Sequence, residues 1–562
     1  MTRGDSMHAR FWLGLGAALV LAGQILTIQI SAVRAADDDD ACADDKIAVA
    51  DRIAACNRLL AAQPTGEALA IVYNNRGIGF RRQNDLDRAY ADYSEAIRIN
   101  PNYDKAYYNR GLVWSARNDP AKAFADYSEA IRINPQFADA FNNRGLIFRA
   151  RGEIDKAIAD YGEAIKANPR MAKAFFNRAV IHQNKGDFEP ALADYSEAIR
   201  LDPKEPDAYV NRGNVWLSKT DYDRAIADYT QAGRLSPKDP DVYFNRGNAY
   251  RLKGNYDAAI SDYIAAIRLD PTQAGTYNNR AIAWYRKSNY DRSIADATEA
   301  LRIDPKYYRA LVNRADAYFE KSDYDRAIAD YTEALRLSPG YVSALKGRGR
   351  AFRAKNEYDR AILDYNEALQ RDPNDTLGFN NRGVVWENKG DLDRALADYS
   401  EAIRLDPKYS LAYRNRGSIW NKKGDLDRAI ADYDEAIRFN PKDDVAFNDR
   451  GETFAKKNDL DRALADYTEA IRLDTRYTLA YENRAAVWRR KGNIAAALRD
   501  ANYAVGLASQ RAAAYIARAE VMKADGRRQE AIRDFQKALT LKPGDALKLQ
   551  AEAALKDLDV TP

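Results

Sequence analysis

Phe141–Phe148 reads FNNRGLIF. Thirty-four residues earlier Tyr107–Trp114 reads YYNRGLVW, and thirty-four residues later Phe175–His182 reads FFNRAVIH. The arginine of this block returns at that spacing from Arg76 to Arg518 with no insertion or deletion. A fixed period of this length marks stacked supersecondary units. Most periods end in Asn-Pro, Asp-Pro or Ser-Pro, as at Pro101, Pro135, Pro203 and Pro407. Proline cannot continue a helix, and it holds the residue before it out of the α region. A short polar break, RRQND at Arg81–Asp85 or NKKGD at Asn421–Asp425, divides each period. Each period therefore predicts two helices of about three to four turns.

The stretch 67–101 shows what each position does. Tyr73, Gly77 and Phe80 fall at i, i+4 and i+7, one helical stripe. Ala89, Tyr93 and Ala96 form a matching stripe in the second helix. Gly77 and Ala89 let the backbones approach, and the rings fill the space around them. Arg76 and Asp92 sit inside these stripes at similar height in an antiparallel hairpin. The pairing recurs as Arg110 with Asp126, Arg144 with Asp160, and on to Arg518 with Asp534. It predicts an ion pair, within each unit or to the next, whose disruption strands a buried charge. The stripe is weakest where Ser293 and Ala297, and later Ala501 and Gly506, replace its usual residues.

Tyr73, Gly77, Phe80, Ala89, Tyr93, Ala96 and Pro101 match, in register, the pattern of tetratricopeptide repeat (TPR) proteins, and so do the later units. The chain resembles that family over residues 70–545. It departs from the family in holding arginine where leucine often precedes the glycine. The resemblance implies an all-α fold, a right-handed TPR superhelix or α-α solenoid of about fourteen helix-turn-helix repeats, with cap helices at both ends. The ends fit. Asp51–Pro64 resembles the second helix of a unit, with Cys56 in the place of an aromatic, and the region 36–66 is expected as an N-terminal cap. Residues 546–562 are expected as a C-terminal capping helix and tail.

Asn75 lies two residues from Tyr73, about 200° round the helix, and points away from the packed stripe. The resemblance places it on the inner surface of the superhelix. There Asn75, Asn109, Asn143, Asn177, Asn211, Asn245, Asn279, Asn313, Asn381, Asn415 and Asn483 form one row. It is similar to the asparagine ladder in the TPR domain of O-linked N-acetylglucosamine transferases, which grips peptide backbone. A side-chain amide both donates and accepts, so it can stand in for a strand partner. The other use of such a row is structural, with amides bonding each other or neighbouring backbone. Gly347 and Asp449 interrupt it. One turn along, the groove reads Ile78, Leu112, Leu146 and Val180, then Asn214 and Asn248, and later Asp316, Arg350 and Glu452. With Tyr108 and Phe176 beside it, the early stretch is expected to receive apolar anchors of a peptide.

The totals narrow the remaining classes. The 562 residues carry 87 Lys and Arg against 83 Asp and Glu, a net charge of +4, which is a weak basis for nucleic-acid binding. His8 and His182 are the only histidines, so metal sites and histidine acid/base chemistry have little to build on. No phosphate loop, metal spacing or nucleophile elbow is present, and neither a catalytic residue, a metal nor a cofactor is expected. Residues 1–35 have the order of a secretory signal, with Arg3 and Arg10, an apolar run, and small residues before a cleavage point at Ala35. The rival is an uncleaved membrane anchor, since about 20 apolar residues can span a bilayer. Cys42 and Cys56, the only cysteines, are expected to pair in an oxidising compartment.

The expectation is thus an exported scaffold, periplasmic, that mediates protein-protein interaction by holding extended peptide segments in its groove. Secreted and membrane-anchored forms facing outside the cytoplasm are the alternatives. Its partner is a protein or peptide, with membrane contact only if the N-terminal segment stays uncleaved; no oligomeric state is indicated. A role in handling or exporting envelope polysaccharide is the other reading, because periplasmic TPR regions of exopolysaccharide export systems look similar. That role needs rings exposed in the groove, and here most rings lie on the packed stripe.

Overall fold

The structure, a computed structural model, describes residues 37–559. The expected signal segment, residues 1–35, lies outside them. The described residues are helical throughout, with no strand. None of their helices is long and apolar enough to cross a membrane.

The chain falls into two segments, one up to Pro271 and one from Thr272. In the first, helical hairpins succeed one another from Gly66–Arg82 with Leu86–Ile99 to Pro240–Lys253 with Tyr256–Leu269. In the second they run from Ala274–Arg286 with Tyr290–Ile303 to Ala512–Ala524 with Arg528–Thr540. Within each segment every helix packs on the next one in the chain. First helices also approach the first helices of neighbouring units more closely than second helices approach each other, so the first helices form a closely packed layer of their own.

Local chemistry sets the helix ends. Asp85, Asp119, Asp221 and Asp391 each accept a backbone N–H at the start of a second helix. The residue before the cap takes a left-handed conformation, φ 62° at Asn84 and 87° at Gly254, which asparagine and glycine tolerate best. At the other end Asn100 is extended, as Pro101 requires, and its side chain accepts from the Asn102 N–H at 3.0 Å.

The core repeats with the sequence. Tyr93, Tyr127, Tyr161, Tyr195, Tyr229 and Tyr263 are fully buried, flanked by alanines without exposed surface. A Cβ at Gly213 would lie 2.8 Å from the Tyr229 ring, so glycine is what lets the ring lie against the first helix. Ala297 replaces the ring in the Tyr290–Ile303 helix, and the buried Ser293 hydroxyl beside it has no hydrogen-bond partner.

Before the first hairpin, helix Val49–Ala61 packs on Gly66–Arg82 and is tied back by a Cys42–Cys56 disulfide with Cα atoms 4.9 Å apart. Arg52 is buried there, donating from Nε to the Cys42 carbonyl at 2.9 Å and pairing with Asp45. After the last hairpin, Asp545–Asp557 lays Ala551, Ala554 and Leu555 against Ile516 and Phe535.

Candidate functional site

The arginines on the apolar stripe are all accounted for. Arg76 donates from Nε and Nη2 to the two carboxylate oxygens of Asp92 at 2.8 and 2.7 Å. The same fork joins Arg110 to Asp126, Arg212 to Asp228, Arg450 to Asp466 and Arg518 to Asp534. The pair forms within each unit, and the third guanidinium nitrogen reaches the unit before: Arg212 Nη1 donates to Ser196 Oγ at 3.0 Å, and Arg246 Nη1 to Thr230 Oγ1 at 3.2 Å. Arg212 thus stands between a hydroxyl sixteen residues earlier and a carboxylate sixteen residues later. Asn366, Asp434 and Asn502 take the hydroxyl's place for Arg382, Arg450 and Arg518, whereas Gly162 and Ile264 offer Arg178 and Arg280 no such partner. The forks commit the Nε and Nη2 donors of these guanidiniums to the partner aspartates. They are part of the frame.

The asparagine row is partly consumed by the fold. Asn109 donates to Asn74 at 2.9 Å, Asn177 to Asn142 at 3.0 Å, Asn313 to Asn278 at 2.7 Å, Asn415 to Asn380 at 3.0 Å and Asn483 to Asn448 at 3.0 Å. In each case the acceptor belongs to the preceding unit. Asn74 itself donates to Asn75, Asn142 to Asn143 and Asn278 to Asn279. Asn143 also donates to the Tyr108 hydroxyl at 3.3 Å. The acceptors, buried at Asn74, Asn142, Asn278, Asn380 and Asn448, are structural partners of the row that the sequence reading passed over. Their signal is the doublet Asn-Asn, or Asn-Asp at 448–449, one residue ahead of the row.

Where the doublet is missing, the row is free. Phe176, Val210 and Lys346 stand in the Asn74 register and offer no amide oxygen. One unit on, the side-chain amides of Asn211, Asn245 and Asn381 make no hydrogen bond to any described residue.

The apolar positions are half-buried rather than open. Tyr108 and Leu112 pack against Tyr127 and Ile147, and Phe176 and Val180 against Tyr195 and Val215. Asn214 and Asn248, expected to face a ligand, accept from Tyr229 at 2.7 Å and Tyr263 at 2.8 Å in their own units. One recess remains among these residues, about 350 Å³ in volume. Leu146, Phe176, Ala172, Ala198 and Ala208 give it apolar walls, and Asn142, Asn143 and Asn177 line one side. Lys173, Asp202, Glu205 and Asp207 stand at its rim.

In the second segment Asp449 replaces an asparagine of the row. Burial pushes its carboxyl up, to about 6; Glu452 and Asp443 add to the rise, while the Asn448 amide and Arg414 oppose it. Because this lies above the ordinary 3.8, protonation favours the folded state. The favourable contribution is present at acid pH and lost as pH rises through about 6. Asp449→Asn should therefore stabilise the protein at neutral pH by about 1–3 kcal/mol, with the gain shrinking steadily on acidification. Denaturant melts of the two proteins across that range check it. A gain that persists unchanged under acid would contradict the assigned cause. Among the described residues no group of His, Cys, Asp or Glu is placed to hold a metal ion.

Comparison with known proteins agrees with this architecture. Tetratricopeptide repeat family models match residues 142–206, 278–342, 312–376 and 387–444, a TPR repeat model matches 79–114, 213–252 and 247–288, and a further one matches 104–137. Together they cover more than half of the chain, and it belongs to the tetratricopeptide repeat family. Among solved structures it is similar to yeast Tom70, at 17% identity over 87% of this chain and 95% of that one, TM-score 0.36. Cut9 in the APC/C Cut9–Hcn1 hetero-tetramer gives 15% identity over 90% and 98%, TM-score 0.39. YrrB, described as a TPR protein with an unusual peptide-binding site, gives 22% over 33% and 95%, TM-score 0.30. Likeness at this level says nothing of partners. No curated protein matches the sequence.

Proposed function

We propose that this chain is an exported TPR scaffold that holds an extended segment of a protein partner along the first-helix face of its N-terminal repeats. TPR arrays are in general non-enzymatic platforms for protein-protein interaction, and this sequence offers no catalytic constellation beside its repeats. The observation that carries the reading is the run of unbonded amides, Asn211 and Asn245, on the same face as an apolar recess of about 350 Å³. Unbonded amides can pair with peptide backbone, and a recess can take a side chain; together they suit an extended chain. A sugar ligand finds less support, because the tyrosines at 0–1% exposure in both segments have no face to offer it. Export rests on the signal-like residues 1–35, and the Cys42–Cys56 bond suits an oxidising compartment.

Cross-linking of the full chain in its native envelope fraction, followed by mass spectrometry, tests this. A recurrent protein partner, lost in Asn211→Ala with Asn245→Ala, is the expected result. These two substitutions remove no side-chain bond to a described residue, and unchanged circular dichroism of the double variant shows that loss of the partner is not unfolding. Capture undiminished in the double variant, or recovery of glycan without protein, would refute the proposal. Recovery of the protein in the cytoplasm would refute its export.

A further inference from the structure

The recess beside Phe176 exists because one closing contact is absent. In the Asn74 register, several first-helix residues are answered by the residue 29 positions on, in the loop entering the next unit. Tyr108 meets Phe137, ring centroids 4.8 Å apart. Lys346 pairs with Asp375 at 2.8 Å, Arg414 with Asp443 at 3.1 Å, and Glu482 with Arg511 at 2.7 Å. Ring answers ring and charge answers opposite charge. For Phe176 the answering residue is Glu205, which does not match. Its carboxylate accepts instead from the Asp207 N–H at 3.4 Å, capping helix Pro206–Ser218. Phe176 packs edge-on to Tyr195 and otherwise faces the recess.

From this geometry we infer that the recess is a socket for one large apolar side chain of the partner segment, whose neighbouring residue is a lysine or arginine. The inference rests on the groove reading above and names its substrate class. The walls are Leu146, Phe176 and three alanines, and the volume is at the small end of ligand pockets, which run from about 300 Å³ upward. It suits Leu, Ile, Met or Phe. The rim selects the neighbour: Asp202, Glu205 and Asp207 make no ion pair with any described residue, and Lys173, also unpaired, is the single cation among them. Three carboxylates against one ammonium leave a negative rim that a cationic side chain would complete. Beyond the socket the backbone of the segment meets Asn211 and then Asn245, which lost their amide partners to Phe176 and Val210. The departure from the asparagine doublet at Phe176 thus accompanies the socket and frees Asn211, and the one at Val210 frees Asn245.

The test is selection of a random peptide library, each peptide about a dozen residues long, on the immobilised full chain, with winners measured by fluorescence anisotropy. Winners should carry Leu, Ile, Met or Phe beside Lys or Arg. Glu205→Tyr places in the socket the residue that Tyr103 and Tyr307 supply in the same register elsewhere, and should weaken winners at least about tenfold. Glu205→Lys with Asp207→Lys should turn the preferred neighbour acidic. Unchanged circular dichroism and melting show that these variants fold. If winners bind Glu205→Tyr within about twofold of the parent, yet are lost in Asn211→Ala with Asn245→Ala, the socket is wrong and the groove stands. If no peptide is enriched, both fall. If Glu205→Tyr instead breaks up a dimer of the chain, the socket is filled by a second copy and the inference is overturned.

Discussion

Asp228→Leu should destabilise the array by about 3 kcal/mol, and adding Arg212→Leu should restore most of that loss. Arg212 binds both carboxylate oxygens of Asp228, at 2.9 and 2.8 Å, and the Ser196 hydroxyl at 3.0 Å. The aspartate side chain is 8% exposed and the guanidinium side chain 21%. Removing the carboxylate leaves a cation largely out of water with one neutral partner, which is where the energy is lost. Removing both charges leaves two leucines on apolar stripes that already touch. The intact pair contributes little net, since desolvation offsets most of the attraction, but half a pair is costly. The exposed ribs that join successive units behave differently. Lys219 pairs with Glu189 and Lys253 with Asp223 on open surface, and such pairs contribute about 0–1 kcal/mol each. Raising salt should erase their effect and leave the Asp228→Leu penalty almost intact.

The measurement has to be local. A long array need not unfold in one step, because each unit contacts only its neighbours. Hydrogen exchange of the amides in Tyr222–Leu235 and Pro206–Ser218, read in the parent, both single variants and the double, gives the cycle directly. A penalty below about 1 kcal/mol for Asp228→Leu would mean that water already reaches the guanidinium and that the pair is a surface one. The repeated arginine then finds its reason in register. Where a side chain sixteen residues back completes the fork, as Ser196 does for Arg212 and Asn366 for Arg382, the arginine is satisfied only when consecutive units stack in step.

How much of this could be read beforehand varies by residue. The hairpins and the Arg–Asp pairs were legible because both follow from periodicity within one unit: Tyr73, Arg76, Gly77 and Phe80 share a helix face whatever lies next door. The role of Asn74 was not. A helical wheel places it off the intra-unit stripe, beside Asn75, but cannot tell a face turned to the next unit from one left open. Asn74 turns out buried, at 2% exposure, as the acceptor for Asn109. For the same reason Leu112 and Val180 were expected to be more accessible than they are. The recess was illegible in another way. It arises from a residue that is not there, an aromatic or methionine at position 205, and shows only on comparison with Tyr103, Phe137 and Met171 in the same register. Motif reading finds what recurs, whereas specificity in a repeat array sits where recurrence lapses.

The largest single loss is expected at the buried ring of a unit that carries one. Tyr229→Ala should cost about 3–5 kcal/mol, because the ring is fully buried and the alanine- and glycine-lined interface cannot close over the space it leaves. Most of this is packing. Tyr229→Phe removes only the bond to Asn214 Oδ1, a half-exposed amide that water can satisfy, and should cost about 1 kcal/mol. The opposing glycine gives the control. A Cβ at Gly213 would stand 2.8 Å from Tyr229 Cε1, so Gly213→Val should cost about 1–3 kcal/mol in the parent by pushing the ring outward. Gly213→Ala should be milder, since Ala179 already stands in this register before Tyr195. In the Tyr229→Ala background the sign should reverse, for Gly213→Val then adds methyl groups to an empty space and recovers part of the loss. Additive penalties in the double variant would show that the glycine is kept for backbone reasons and not for the approach of the ring, and would break the account of core packing given for every unit.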